Sequence, residues 1–296
     1  IREALPPARV VRGIDPVRVD TLAVYHRRMN TDSPSRTAML VAAYRARASE
    51  AAAPICSDPY ARTLAGEEGF AFAREMDAVA PNMELWVAVR TAYLDAVVRA
   101  ATQDVSQVVI LGAGFDTRAK RLAHEGVRFF EVDAPASLAE RKRRLALLPD
   151  YRSDAVEVSC DFETEDFVDR LAAVGFDRGV PALVLWEGVS YYLSEAAVRA
   201  TLGRVAEALH PRSTLVFDHV GRRFVAGQGT SPEDQGTRER LGSVGEPMIW
   251  GVDHALPLLF ELGFRSVRAD DFDEACLTHT GTYDRARKFR FQHLVH

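Results

Sequence analysis

The sequence predicts an α/β protein: a doubly wound, mostly parallel sheet with an antiparallel edge, preceded by a helical N-terminal cap. Three observations carry this. From about residue 104 onward, short apolar runs alternate with amphipathic stretches, and that alternation builds a parallel sheet covered by helices on both faces. The first run, Val108-Val-Ile-Leu111, passes straight into Gly112-Ala-Gly114. A strand that enters a glycine turn and then a helix is the junction where such sheets bind nucleotide-like ligands. Before this junction, residues 35–102 show helical spacing of apolar positions and no strand pattern. We therefore divide the chain into a cap, residues 1–103, and a core, residues 104–296, with an insertion at 221–250.

Residues 1–32 are proline-rich and then polar, and read as an arm over the body. Small and apolar residues from Ser35 to about Ala53 predict a helix stopped by Pro54. Ser57-Asp58-Pro59 opens a second helix, which Gly66 and Gly69 are expected to break. Pro81 begins a long helix to about Thr102, with Leu85, Val89, Ala92 and Ala96 on one face and Arg90 beside it.

Strands are predicted at 107–111, 127–132, 155–159, 182–186 and 214–218, with two more at 265–269 and about 287–294. Helices are predicted at 116–124, 136–148 and 165–174, and again at 253–262. Another is capped by Ser194, striped by Val198, Leu202, Val205 and Leu209, and ended by Pro211. The last two strands lack a connector with helical amphipathicity and are expected as an antiparallel edge pair. Residues 221–250 are glycine-rich and polar, and read as an irregular lid or binding loop.

The 296 residues suffice for one sizeable core, and 47% apolar and 27% charged residues are ordinary for a globular protein. A net charge of −5 supplies no attraction to nucleic acid. The basic run from Arg141 to Arg144 reads as a solvated helix face. Cys56, Cys160 and Cys276 are far apart and form no Cys-x-x-Cys. This argues against a disulfide framework or a zinc site, and no other cluster has metal-ligand spacing, so no metal is expected. There is no signal-peptide pattern and no membrane-spanning apolar run, and a cytoplasmic location is expected.

The informative constellation is positional. Consecutive strand ends carry Gly112 and Gly114, then Asp133, Asp161 and Glu187. In a doubly wound sheet these ends share one rim. Asp133 falls about 20 positions past the glycine turn, the spacing at which a carboxylate accepts hydrogen bonds from a ribose diol. Asp161 is placed to meet an adenine amino group, with Phe162 covering the ring. Glu187 is placed to face an ammonium, and a cationic sulfonium ligand tolerates a rim of carboxylates. A lone aspartate at a strand end commonly caps a helix instead; the series of four is what points to a ligand. A nicotinamide cofactor is the rival, but Gly-x-Gly-x-x-Gly/Ala requires a small residue where this chain has Thr117. No phosphate-binding Gly-x-x-x-x-Gly-Lys-Ser/Thr loop occurs.

The string Leu111-Gly-Ala-Gly-Phe-Asp-Thr-Arg118, followed by Glu131-Val-Asp-Ala-Pro135, resembles the leucine carboxyl methyltransferase family, in particular its bacterial branch of S-adenosylmethionine-dependent methyltransferases, which includes polyketide-tailoring O-methyltransferases. Asp58-Pro-Tyr60, Val89-Arg-Thr91, Cys160-Asp161, Glu187-Gly188, Tyr191-Tyr192-Leu193 and Gly245-Glu-Pro247 extend the resemblance over about residues 35–295. It implies a class I, Rossmann-like methyltransferase fold and S-adenosyl-L-methionine as cofactor. By resemblance, Arg90 would bind the cofactor carboxylate and Gly112 would approach the methionine part. Asp133 would hold the ribose, Asp161 and Phe162 the adenine, and Glu187 the amino acid end. Phe162 departs from the family, which commonly has leucine there.

Methyl transfer is an in-line displacement that needs alignment and exclusion of water. A carboxylate acceptor is already ionised at neutral pH and needs only orienting donors, for which Tyr191 and Tyr192 are candidates. A hydroxyl acceptor would use a base, for which His219 and His254 are candidates. The acceptor expected is a small-molecule or carrier-bound acid. Carboxyl methylation of a protein C-terminus, nicotinamide-dependent oxidoreduction and a non-catalytic cofactor-binding subunit are the alternatives.

Overall fold

The computed structural model describes residues 35–81, 83–228, 231–282 and 292–296. The N-terminal arm expected at 1–32, and the part of the last strand expected before residue 292, lie outside the described residues.

Three helices come first. Helix α1 (Arg36–Ser49) starts at Ser35, whose side chain accepts a hydrogen bond from the Ala38 amide and so satisfies one of the orphan amides of the first turn. Helix α2 (Ala61–Val79) kinks at Gly66 and then continues, where the sequence suggested a stop. Helix α3 (Met83–Ala101) buries Leu85, Val89 and Arg90 alike. Leu40, Tyr44, Leu64, Phe72, Met76 and Trp86 join the three into one apolar cluster.

Strands β1 (Gln107–Leu111), β2 (Arg128–Asp133), β3 (Val156–Ser159), β4 (Ala182–Trp186) and β5 (Thr214–Val220) form the parallel part of the sheet. Strands β6 (Ala269–Asp271) and β7 (Gln292–Val295) complete it, and the described strands lie in the order β3-β2-β1-β4-β5-β7-β6. β7 runs antiparallel to both β5 and β6, one position in from the edge. Strands β1 and β4 are buried at every residue, which is why they read as unbroken apolar runs rather than alternating ones. Each of their buried valines or leucines contributes about 1.5–3 kcal/mol.

The register lines up the strand ends. Leu111 lies beside Val132 on one side and Trp186 on the other, and Asp133 lies beside Ser159. Gly112, Asp133, Cys160 and Glu187 therefore emerge along one rim. Short helices α4 (Arg118–Arg121), α5 (Pro135–Leu145), α6 (Phe167–Ala173) and α7 (Glu195–Ala208) make the crossovers.

Three sequence expectations change. Residues 221–250 are not irregular: they hold α8 (Arg222–Val225) and α9 (Pro232–Ser243). A capping box of Ser231 and Asp234 starts α9, but only Thr237 and Leu241 are buried, so the helix has no apolar stripe to detect. After α10 (Ala255–Glu261), a nine-residue helix α11 (Phe272–Thr280) follows β6, where no helix was expected. The basic run is not a solvated face: Arg141 and Arg144, three apart on α5, are buried, and Arg143 points outward. Among the described residues, no helix is long and apolar enough to cross a membrane.

Candidate functional site

A cavity opens at the carboxyl ends of β1 to β4, and α1 supplies its opposite wall through Thr37, Ala38 and Val41. Nine of the eleven residues singled out as site candidates line it: Arg90, Gly112, Gly114, Asp133, Asp161, Phe162, Glu187, Tyr191 and Tyr192. His219 does not. It follows Asp218 on β5, and successive strand residues face opposite sides of a sheet. Asp218 faces Arg90, whereas His219 is buried against Trp250 and stacked on His293 at 4.9 Å. Burial, and then His293, push its imidazole down to about 4. His254 precedes α10 at the surface.

The glycine turn is held tightly. Gly112 has φ +66°, and a Cβ there would stand 2.2 Å from Val189 Cγ2. Glycine suits this turn both by its positive φ and because Val189 occupies the place of a side chain. The amides of Gly112 and Ala113 both donate to Val132 O. Asp133 accepts from the Gly114 amide at 2.6 Å through Oδ2 and from the Ala134 amide at 2.7 Å through Oδ1. Burial raises its pKa and the two amides work against that rise. These bonds fix the carboxylate while leaving lone pairs for a diol.

Behind the turn lies a network of buried charge that sequence reading did not find. Glu187 is caught between two guanidiniums: Arg90 Nε donates to Oε1 at 2.8 Å and Arg118 Nη1 to Oε2 at 2.5 Å. Burial opposes its ionisation, but Arg118 and Arg90 prevail and hold its pKa below the ordinary range. Arg90 Nη1 also donates to Asp218 at 2.7 Å and to the Tyr191 hydroxyl at 3.3 Å. Arg118 pairs further with Asp95 at 2.7 Å and Asp116 at 2.5 Å, and Arg121 shares Asp95 at 2.6 Å. Asp218 in turn accepts from the Gly188 amide at 2.6 Å, which fixes the loop after β4. Two signals were present: Arg118 closes the Asp-Thr-Arg part of the glycine motif, and Asp218 alternates with His219.

Residues 246–250 tie α1 to the loop after β4 without lining the cavity. Glu246 accepts from the amides of Arg36 at 2.5 Å and Thr37 at 3.0 Å, from Ser35 Oγ at 3.1 Å, and from Thr37 Oγ1. A carboxylate at a helix N-terminus satisfies orphan amides and the helix dipole together. The amides of Ile249 and Trp250 donate to Tyr191 O at 2.7 and 3.2 Å. Burial, and then Asp218, raise the pKa of the Tyr191 phenol. Burial, then Tyr191 and Glu246, raise that of Tyr192. Burial thus favours the protonated form of both phenols.

A family model described as "Leucine carboxyl methyltransferase" matches residues 38–206. A Streptomyces coelicolor protein named "Putative S-adenosyl-L-methionine-dependent methyltransferase" is 38% identical over 208 residues, 64% of this chain and 72% of that protein. A Mycolicibacterium smegmatis protein of the same description is 32% identical over 256 residues, 80% of this chain and 81% of its own length. A crystal structure described as a putative methyltransferase from Thermobifida fusca superposes with a TM-score of 0.59 at 15% identity, over 90% of this chain and 95% of the other. At that identity the likeness speaks for the fold alone.

Proposed function

The chain belongs to the leucine carboxyl methyltransferase family, and from that premise we propose that it methylates an oxygen that is already ionised, foremost the carboxylate of a small or carrier-bound acid. It is an S-adenosyl-L-methionine-dependent methyltransferase. The cavity suits that cofactor: the Gly112 turn, packed against Val189, presents bare backbone at the cavity wall, and a fixed carboxylate follows on the next strand. In our reading Asp133 holds the ribose, and Asp161 and Phe162 hold the adenine. Arg90 binds the cofactor carboxylate, and Glu187, with both oxygens held by arginines, lies at the amino acid end.

One observation carries the acceptor class. Among the described residues that line the cavity there is no imidazole or lysine, and every carboxylate already accepts a hydrogen bond. In our reading the two protonated phenols donate to the acceptor. Such a lining serves an acceptor that brings its own charge and leaves an unactivated alcohol without a base. Bound cofactor supplies an electrophilic methyl on a sulfonium sulfur. The chain supplies orientation through Tyr191 and Tyr192 and exclusion of water by the α1 wall.

The test is the chemical stability of the methylated product in a screen of acids, phenols and alcohols. Methyl esters, lost in mild alkali, are the expected products. Alkali-stable methyl ethers from unactivated alcohols would contradict this reading.

A further inference from the structure

Three successive carbonyls of the glycine turn are held by buried arginines. Arg141 Nη1 donates to Gly114 O at 3.1 Å and to Asp116 O at 2.5 Å, and Arg45 Nη2 donates to Phe115 O between them. Arg141 stands on α5, is 1% exposed, and does not line the cavity. Its Nη2 donates to Glu131 Oε1 at 2.5 Å. Glu131 is buried on β2, two residues before Asp133, so both side chains leave the same face of the sheet. Glu131 belongs to the Glu-Val-Asp motif, and the reading above gives it no task.

Gly114 joins these groups. Its amide donates to Asp133 Oδ2 at 2.6 Å and its carbonyl accepts from Arg141. The two soft dihedrals of Gly114 lie between that amide and that carbonyl. Its φ of +45° is in the left-handed region, where glycine moves freely unless both flanking peptides are held. Here they are held, one from β2 and one from α5. If the Gly114 peptide turned, Asp133 would lose the donor that fixes Oδ2.

We propose that Arg141, oriented by Glu131, is a positioning residue for cofactor binding: by gripping Gly114 O and Asp116 O it aims the Gly114 amide at Asp133 and presets the ribose-binding carboxylate. This rests on the reading that Asp133 holds the cofactor ribose. Arginine suits the task because its planar fork reaches two carbonyls and a carboxylate in one fixed geometry, which a lysine ammonium does not reproduce.

The experiment is calorimetric titration of S-adenosylhomocysteine, and separately of adenosine, into the wild type, Arg141→Lys, and the double variant Glu131→Gln/Arg141→Met. The double variant leaves no unpaired charge in the core. It should bind both ligands about 10-fold or more weakly, the effect of losing a charge-assisted hydrogen bond that orients the carboxylate. Arg141→Lys should fall between the two. Adenosine lacks the amino acid part, so a deficit shared by both ligands locates the effect at the ribose; Arg90→Ala should weaken S-adenosylhomocysteine only. A residue that merely supports the fold would lower the melting temperature and the fraction of competent sites, but not the affinity of each site. Unchanged per-site affinity in the folded double variant would therefore overturn the proposal. If circular dichroism shows the double variant unfolded, wild-type affinity in Arg141→Lys overturns it instead. A wild type that binds neither ligand removes the cofactor reading and this inference together.

Discussion

The two walls of the cavity are built differently. The wall made by the strand ends rests on the backbone and on buried charge: a glycine turn, two amides on Asp133, and Glu187 between Arg90 and Arg118. The wall made by the start of α1 presents Thr37, Ala38 and Val41 beside the buried Arg45, and is tied from behind by one buried carboxylate, Glu246. The first wall tolerates few residue types, because each position must supply a conformation or a charge that nothing else replaces. The second can change its side chains while keeping its contacts. A constant cofactor and a variable acceptor would require that division of labour.

The largest expected effect breaks the first wall. Arg90→Ala leaves Glu187 and Asp218 buried with a partner removed, which should cost about 3–5 kcal/mol of stability in urea denaturation. Affinity for S-adenosylhomocysteine should fall by roughly 10- to 100-fold with the lost charge-assisted bonds, while affinity for adenosine stays within a few-fold. Equal loss for both ligands would remove Arg90 from the carboxylate end.

A residue outside both walls supplies the control. His219 titrates at about 4 in the fold against 6.5 ordinarily. As pH falls, the unfolded chain takes up this proton first. The neutral ring's contribution is complete above about pH 6.5 and is lost progressively toward pH 4, by roughly 3 kcal/mol. His219→Gln should remove that share of the acid sensitivity and leave cofactor affinity unchanged. A fall in cofactor affinity would bring His219 into the site after all.

The smallest effect is expected at the second wall. Glu246→Ala frees the α1 amides and loosens the insertion, at a cost of about 1–2 kcal/mol in thermal unfolding. Turnover of an acceptor should drop while affinity for S-adenosylhomocysteine changes little. If cofactor affinity drops as far as turnover, the walls are not separate in function.

The same division explains what could be read from the sequence. The rim was legible because glycine, aspartate and glutamate at strand ends are chemical requirements tied to a countable register, and Gly112, Asp133, Asp161 and Glu187 do line one cavity. The arginines behind it were not. Arg118, Arg141 and Arg45 look like surface residues in a one-dimensional reading, because the partners that bury them sit on other elements: Glu187 for Arg118, Glu131 on β2 for Arg141 and Phe115 O for Arg45. Helix α9 was missed because it is polar on nearly every side and held by its cap. Glu246 stands in a short Gly-Glu-Pro string, and its partners are 209 to 211 residues away. His219 was misjudged by one step of strand alternation, since the reactive face of β5 belongs to Asp218.

The central claim is that this cavity binds S-adenosyl-L-methionine with Asp133 as its ribose anchor. Calorimetric titration of S-adenosylhomocysteine into the wild type and into Asp133→Ala tests it most directly. The wild type should bind at one site per chain, and folded Asp133→Ala should bind on the order of 100-fold more weakly or not at all, having lost two hydrogen bonds to a charged group. Equal affinity in the two proteins would contradict the account.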